Sequence, residues 1–406
     1  MDLCSWTFIL GLLGAAAIQP LLSTLVLRQG LLVLASAWFV STFFQQPGPF
    51  FLFFGFIASG YLAGRIVAKR PAMAIIAGYL VLLVSAFLCL KNYSFLRALR
   101  VPPVSLTWSS LVGLSYILFR QIHFVVDSAQ GQIFQPTFLQ YLVYQLNPFT
   151  LLAGPINRYQ NFQEDWLKCE PLTDSADALK QLQRLLLGIV KITWVAGTII
   201  TFVTALQSPL NPGLPRLVEP WWKALARSTA VFYLYPFYVY FNFAGYCDIV
   251  ISGARFFGFK LPENFDRPFL ARNMIEYWTR WHRTLGFWIR DYLFNPLFKA
   301  MVEHKVHFGL AAVSTYFIAL FVAGIWHGST PSFAMFGLLN GLGVAVVKLY
   351  ELWLVKRIGR KNIKNYLARS RTLAVIVNFH YVCFTFLFFT GSIRLALNTL
   401  LHPFKH

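Results

Sequence analysis

The sequence has 406 residues, of which 57% are hydrophobic, 17% are aromatic and only 12% are charged, about half the charged fraction of a typical soluble domain. So few charges cannot cover the surface of a soluble protein of this size, whereas a surface that faces lipid must stay apolar. The net charge of +20 is carried between hydrophobic runs, which favours topology signals and contact with anionic lipid over nucleic-acid binding.

Ten apolar runs of spanning or near-spanning length predict the membrane helices. They are residues 5–27, 30–44, 50–63, 72–90, 104–119, 185–206, 231–251, 308–326, 333–347 and 372–390. Several are shorter than the roughly 20 residues that a perpendicular helix needs. Those helices are expected to tilt, to extend into flanking polar turns or to be buried in protein. The predicted fold class is an all-α polytopic membrane protein with about ten transmembrane helices, within an error of about two.

Two segments near the middle of the chain break this pattern. Residues 141–152 are apolar but short, and they run into Gly154 and Pro155. A re-entrant element fits them, because non-helical backbone at membrane depth is tolerated where protein or a cavity surrounds it. Residues 160–183 are polar and acidic, and they are predicted to form an extramembrane loop.

Two basic segments predict the local topology. Residues 255–305 carry nine Lys/Arg against five acids, with aromatic residues at helical spacing that indicate amphipathic interfacial helices. Residues 356–371 carry seven Lys/Arg and no acid. The positive-inside rule places both segments in the cytoplasm. Residues 308–326 would then cross outward and 333–347 would return, so that the turn at 326–331 faces the extracytoplasmic side or a cavity that opens to it.

His327 is the strongest candidate for chemistry. It ends an apolar run in the sequence GIWHG at 324–328, and ionisable residues at membrane depth usually face a bundle interior or a wet cavity. Glycines on both sides would let a ligand or a helix approach closely. A neutral imidazole can serve there as a general base near pH 7. The alternative is a structural histidine that is hydrogen-bonded to a backbone carbonyl near the interface.

His282 and a polar stripe near residue 245 are weaker candidates. Arg283 and Arg290 are two turns apart and share a face. On residue chemistry alone, residues 276–292 are therefore more typical of an interfacial helix with a solvated basic edge than of a catalytic segment. The stripe lies in an apolar run and could line a cavity or join helices by hydrogen bonds; its members are Asn242, Tyr246 and Asp248. Glycine-rich phosphate loops, hydrolase elbows and zinc or disulfide spacings are not found in the sequence, so no metal is expected.

Five stretches in order resemble the bacterial branch of the membrane-bound O-acyltransferase family. They are AGPINRY at 153–159, YFNFAGYCD at 240–248, GFKLPENFDRPF at 258–269, the segment from WHRTL at 281–285 to RDY at 290–292, and GIWHG at 324–328. The resemblance covers roughly residues 140–345. That branch includes proteins that D-alanylate teichoic acids and proteins that O-acetylate alginate.

The resemblance implies a ring of helices around a central tunnel, with re-entrant and interfacial helices. An acyl thioester would enter from the cytoplasm and a hydroxyl acceptor from outside. His327 matches the family's catalytic histidine, which would act as general base, and His282 matches the second histidine of the bacterial branch. Other residues are expected to bind substrate or line the tunnel: Asn242, Tyr246, Asp248, Arg158, Asn264, Asp266, Trp281, Arg283, Arg290, Asp291, Trp326 and Asn340. Asn340 stands where many bacterial members carry a further histidine.

The sequence thus predicts one integral membrane domain over residues 1–406. It would comprise N-terminal helices (1–135), an acyltransferase core (140–345) and a basic cytoplasmic loop with the last helix (346–406). The expected function is O-acyl transfer to a cell-envelope polymer or an intermediate carrier, in a multi-pass protein of the bacterial cytoplasmic membrane. The resemblance implies no tightly bound cofactor. The expected partners are acetyl-CoA or an acyl carrier protein as donor, a polysaccharide or teichoic acid as acceptor, membrane lipids, and a periplasmic or cell-surface acyltransferase. A membrane transporter and a non-catalytic scaffold are the alternatives.

Overall fold

A computed structural model of the protein describes residues 6–42, 47–91, 93, 96, 113–170, 172–207, 220–359, 361 and 371–401. Every regular element within those residues is helical. The chain divides into two compact units, one of Met1–Ile189 with Gly245–Glu263 and one of Val190–Ala244 with Asn264–His406. The expected single domain with a core at 140–345 stays a prediction.

The first unit contains the N-terminal helices. They are α1 (Trp6–Ile18), α2 (Leu25–Ser41), α3 (Pro47–Lys69), α4 (Met73–Leu90), α5 (Leu114–Ala129), α6 (Phe138–Leu146), α7 (Tyr159–Lys168) and nearly all of α8 (Ser175–Val190). The unit also contains residues 245–256, the last part of α10 (Trp221–Phe256).

The second unit contains most of the C-terminal helices. A π-helical turn (Lys191–Ala196) leads into α9 (Gly197–Gln207), and a second one (Arg290–Phe294) follows α12. The other helices are α11 (Met274–Arg280), α12 (Arg283–Ile289), α13 (Asn295–Glu303), α14 (Phe308–His327), α15 (Pro331–Ile358), α16 (Arg371–Phe386) and α17 (Ile393–Leu401).

Six helices in the described part of the chain are long and apolar enough to cross a membrane. They cover Phe50–Lys69, Met73–Leu90, Ser175–Gln207, Phe308–His327, Pro331–Ile358 and Arg371–Thr390. Six of the predicted apolar runs fall within these helices, the run at 231–251 lies inside α10, and those at 5–27 and 30–44 correspond to the shorter α1 and α2. Residues 104–112 of the run at 104–119 lie outside the described residues, as do Arg360 and residues 362–370 of the second basic cluster. The count of about ten spans stays a prediction.

The predicted loop at 160–183 is wrong, because most of that segment is helical. Helix α7 buries Tyr159, Phe162 and Trp166 on one face, a spacing that matches the helical repeat. Rings from neighbouring elements cover this face, among them Tyr144 at 5.3 Å from Tyr159 between centroids. Two of the acidic residues that suggested a loop, Glu164 and Asp165, lie instead on the polar side of this amphipathic helix.

Residues 141–152 form the end of a short helix followed by buried, non-helical turns. Helix α6 has nine residues, too few to span a bilayer, and it begins with a capping box between Thr137 and Gln140. After its last residue, Leu146, the chain continues through hydrogen-bonded turns with Thr150 and Phe149 buried. This shape is compatible with the re-entrant element that the sequence predicts.

Helices α14 and α15 form a closely packed hairpin in the second unit. A Cβ atom on Gly337 would lie 2.7 Å from the carbonyl oxygen of Phe321, and one on Gly341 would lie 2.9 Å from that of Phe317. No side chain fits between the backbones at these positions, which is typical of small-residue interfaces between membrane helices. The hairpin fixes the end of α14, where His327 lies.

Candidate active site

His327 is the last residue of α14 and is half-buried. Three aromatic rings surround its imidazole: Trp326 at 4.8 Å, Phe389 at 5.1 Å and Phe336 at 6.1 Å between centroids. Within the described residues, the two ring nitrogens of His327 make no hydrogen bond to protein. The structural alternative, an imidazole tied to a backbone carbonyl, has no such hydrogen bond among the described residues.

His282 lies at a break between α11 and α12 and is only 2% exposed. Its backbone is in the left-handed region (φ 45°, ψ 49°), where a residue other than glycine is uncommon. The interfacial helix considered as an alternative is therefore interrupted at this position, and the imidazole is buried. The ring of Phe243 on α10 packs edge-on against it at 4.8 Å.

Asn264 contacts the break between α11 and α12 through both its side chain and its backbone. Its side-chain oxygen accepts hydrogen bonds from the backbone and the hydroxyl of Thr284 and lies 3.1 Å from Nδ1 of His282. Its backbone carbonyl accepts from the N–H of Arg283 at 2.9 Å. The non-helical segment that carries Asn264 and the first turn of α12 are thereby joined through one buried residue.

The protonation state of His282 is governed mainly by its burial. Burial lowers the pKa of His282 well below its ordinary value, and the nearby His327 lowers it further. Loss of hydration disfavours the charged imidazolium in this environment. His282 is therefore a neutral imidazole at physiological pH, in interaction range of His327.

Trp281 precedes His282 and is buried in an aromatic cluster. It stacks on Tyr277 at 5.8 Å and contacts Phe265 at 5.1 Å and Phe386 at 5.2 Å edge-on. The rings fix the direction in which α11 enters the break, because aromatic pairs prefer these offset and perpendicular arrangements. Trp281 thus supports the backbone that carries His282.

The predicted basic face on α12 is present. The guanidinium groups of Arg283 and Arg290 both lie over the ring of Phe287, at 5.7 and 5.2 Å from its centroid. Arg290 is exposed and also pairs with Asp291 at 2.8 Å. Nε of Arg283 is buried and has no hydrogen-bond partner within the described residues.

The remaining predicted residues of the second unit differ in exposure. Asn340 is buried, and its amide donates to the carbonyl of Phe336 within α15 at 2.8 Å. Asn242 on α10 is half-buried. The side chain of Asp266 is exposed, although its backbone N–H donates to the carbonyl of Arg280 at 2.9 Å. Trp326 contributes the ring that contacts His327.

Three predicted residues lie in the first unit instead. Tyr246 is buried, with its hydroxyl 3.4 Å from the backbone N–H of Ala153. Asp248 forms an ion pair with Arg184 at 2.9 Å, and Arg158 is the N-cap residue of α7. The ion pair of Asp248 joins α10 to α8, which fits a residue that connects helices better than one that lines a cavity.

A buried polar cluster on α5 was missed by the sequence reasoning. Arg120, 1% exposed, donates to the backbone carbonyls of Tyr144 and Gln145 at 2.7 Å. His123 accepts the N–H of Tyr159 at 2.8 Å through Nε2, and its Nδ1 lies 3.2 Å from Asp127. The missed signal is the spacing of three ionisable residues at helical intervals in an apolar segment.

The helices of membrane-spanning length define a polytopic membrane protein. The sequence model of the MBOAT, membrane-bound O-acyltransferase family matches residues 79–393. The chain belongs to this family, and it is an O-acyltransferase that uses an acyl donor as cosubstrate.

Similar proteins extend the match over most of the chain. The chain is 31% identical to the teichoic acid D-alanyltransferase of Bacillus subtilis (strain 168), over 83% of this chain and 82% of that protein. It is 28% identical to the teichoic acid D-alanyltransferase of Streptococcus thermophilus, over 72% of each. It is 26% identical to the probable alginate O-acetylase AlgI of Pseudomonas fluorescens, over 59% of this chain and 45% of that protein.

Proposed function

We propose that the protein moves an acyl group from a cytoplasmic thioester donor to a hydroxyl of an extracytoplasmic envelope polymer or an intermediate carrier. The protein would act in the bacterial cytoplasmic membrane. The observation that supports this most directly is His327, whose ring nitrogens are unengaged by described residues at the end of a span. A half-buried imidazole with unused nitrogens is suited to exchange a proton with a substrate.

D-alanylation of a teichoic acid is the first choice of reaction. The two D-alanyltransferases match this chain over 82% and 72% of their own lengths, whereas the alginate O-acetylase matches over 45% of its length. O-acetylation of a polysaccharide is the second candidate, supported by the same family membership. The donor would be an acyl carrier protein in the first case and acetyl-CoA in the second.

The proposed chemistry is general-base catalysis by His327. The acceptor hydroxyl oxygen attacks the carbonyl carbon of the thioester while His327 removes the hydroxyl proton. A carbon–oxygen bond forms and the carbon–sulfur bond breaks. The imidazolium then returns the proton to the departing thiolate, so that the base is regenerated without any redox change.

The basic face on α12 would bind the donor. Both acetyl-CoA and the prosthetic arm of a carrier protein contain phosphate, and guanidinium groups are well suited to phosphate oxygens. Arg283 is the better candidate, since its buried Nε lacks a partner within the described residues while Arg290 is engaged by Asp291. A periplasmic or cell-surface acyltransferase would complete the transfer if the first acceptor is a carrier.

The proposal is tested by envelope ester content in a deletion strain that expresses wild type, His327→Ala, His282→Ala or His380→Ala at equal membrane abundance. His380 is the matched control, because it is exposed and its ring bonds to the carbonyl of Ile376. We expect wild type and His380→Ala to restore the esters and His327→Ala to lose them. The acid released by mild base identifies the acyl group.

Three results would change the assignment. Full ester content with His327→Ala would make His327 structural and return the non-catalytic scaffold to consideration. Release of acetate in place of D-alanine would select polysaccharide O-acetylation. A transporter would leave ester content unchanged in every variant, including the deletion strain.

A further inference from the structure

We propose that Asn264 is a positioning residue that holds His282 in one tautomer, with the proton on Nδ1 and the lone pair on Nε2. The inference deepens the proposed function and rests on it for its catalytic consequence. The tautomer itself can be measured without turnover.

The orientation of the Asn264 amide follows from its contacts. The backbone N–H of Thr284 can only donate, and it points at Oδ1 of Asn264 from 3.2 Å. The atom at that position is therefore the amide oxygen and not the amide nitrogen. The hydroxyl of Thr284 is 2.9 Å from the same oxygen.

The tautomer of His282 follows from the orientation of the amide. Nδ1 of His282 lies 3.1 Å from Oδ1 of Asn264, and an amide oxygen can only accept. Nδ1 must then carry the hydrogen. A neutral imidazole has one N–H, so Nε2 is the nitrogen that can accept a proton or a hydrogen bond.

Several further contacts make the arrangement rigid. Asn264, His282 and Thr284 are 1%, 2% and 4% exposed. The carbonyl of Asn264 accepts from Arg283, and the carbonyl of His282 accepts from Gly286 at 3.0 Å. Water cannot readily reach these buried groups. Loss of one of their hydrogen bonds therefore leaves a polar group unsatisfied.

The two histidines would then have different roles in catalysis. In the Nδ1–H tautomer, Nε2 of His282 is a hydrogen-bond acceptor, which it could not be in the opposite tautomer. His327 remains the base that removes the acceptor proton. Asn264 acts through His282 and touches no reacting atom.

The first experiment reads the tautomer directly. Protein labelled with 15N-histidine is purified in detergent, and the spectrum of His282→Gln is subtracted from that of wild type to identify the His282 nitrogens. We expect a protonated Nδ1 and an unprotonated Nε2 in wild type. In Asn264→Leu the single form is expected to give way to the other tautomer or to a mixture.

The second experiment measures kcat and KM for acyl transfer. Asn264→Leu is expected to lower kcat about 10- to 100-fold, the usual effect of losing a partner that orients a functional histidine, with the donor KM within about threefold. Asn264→Asp retains an acceptor oxygen and should recover most of the loss. Thr284→Val removes another donor to the same oxygen, and it should keep the tautomer with a smaller effect on kcat. This control separates the positioning of His282 from a general disturbance of the backbone between α11 and α12.

The outcomes are distinguishable. A wild-type spectrum with the proton on Nε2, or full kcat in an Asn264→Leu protein whose tautomer has changed, would overturn the inference. An Asn264→Asp variant that keeps the tautomer and recovers kcat supports it. A wild-type protein that shows the expected tautomer but transfers no acyl group contradicts the proposed function while leaving the assignment of Asn264 supported.

Discussion

Gly324 on α14 lies so close to the backbone of Gly337 on α15 that neither position leaves room for a side chain. The contact is three residues before His327 in the sequence, so the packing of the hairpin and the placement of the imidazole are linked. Glycine is needed at both positions because the neighbouring backbone leaves no space for a Cβ atom. The backbone conformation does not require it, since both residues are helical.

Gly337→Ala is expected to destabilise the protein and lower its activity. The new methyl group would lie 2.7 Å from the carbonyl oxygen of Phe321, and overpacking of this kind costs about 1–3 kcal/mol. Melting temperature in detergent and acyl transfer are the measurements. Gly78→Ala is the matched control: it also lies within a helix but has open space around it, so it should be neutral or stabilising by up to about 1 kcal/mol. Equal effects of the two substitutions would contradict this account.

The ion pairs of Arg184 are expected to differ in strength. Arg184 contacts Asp248, whose side chain is 15% exposed, and Glu263, whose side chain is 54% exposed. Double-mutant cycles on the free energy of unfolding should give a coupling of roughly 1–3 kcal/mol for Arg184 with Asp248. The coupling with Glu263 should be about 1 kcal/mol or less, because water screens the exposed carboxylate. The reverse order would show that burial does not govern this network.

His123→Leu is expected to reduce the amount of folded protein without altering the chemistry. It would leave the N–H of Tyr159 and the carboxylate of Asp127 without their histidine partner in a buried place, at a cost of at least about 2 kcal/mol. Membrane abundance should fall, while activity per folded molecule should stay near that of wild type. His380→Leu, on an exposed side chain, should leave abundance unchanged. A normal amount of inactive His123→Leu protein would place His123 in the reaction instead.

Arg283→Gln is expected to raise the donor KM about tenfold with a smaller change in kcat, because a charge-assisted hydrogen bond to phosphate is lost. The wild-type KM should also rise with ionic strength, and that dependence should weaken in the variant. Lys299→Gln is the control, since the side chain of Lys299 is 77% exposed and its ion pair with Glu303 is long, at 3.8 Å. An unchanged KM for Arg283→Gln would remove Arg283 from the donor site.

The membrane class, the position of most apolar helices and the shared face of Arg283 and Arg290 were all predictable from the sequence. Each depends on residues that are close along the chain: hydropathy over about 20 positions, or side chains that repeat with the helical period. The family resemblance rests on local motifs as well, and the match over residues 79–393 confirms it.

The partners of individual polar residues were decided only by the tertiary structure. His282 and Asn264 are 18 residues apart, and Asp248 and Arg184 are 64 apart. Hydropathy and spacing cannot tell whether Asp248 faces a cavity or a guanidinium, nor that α7 buries its aromatic face under Tyr144. These outcomes depend on which distant segments meet, because a buried polar group takes the partner that the fold places beside it. The sequence alone therefore determined the kind of protein, and the packing of distant segments determined how His282 is held.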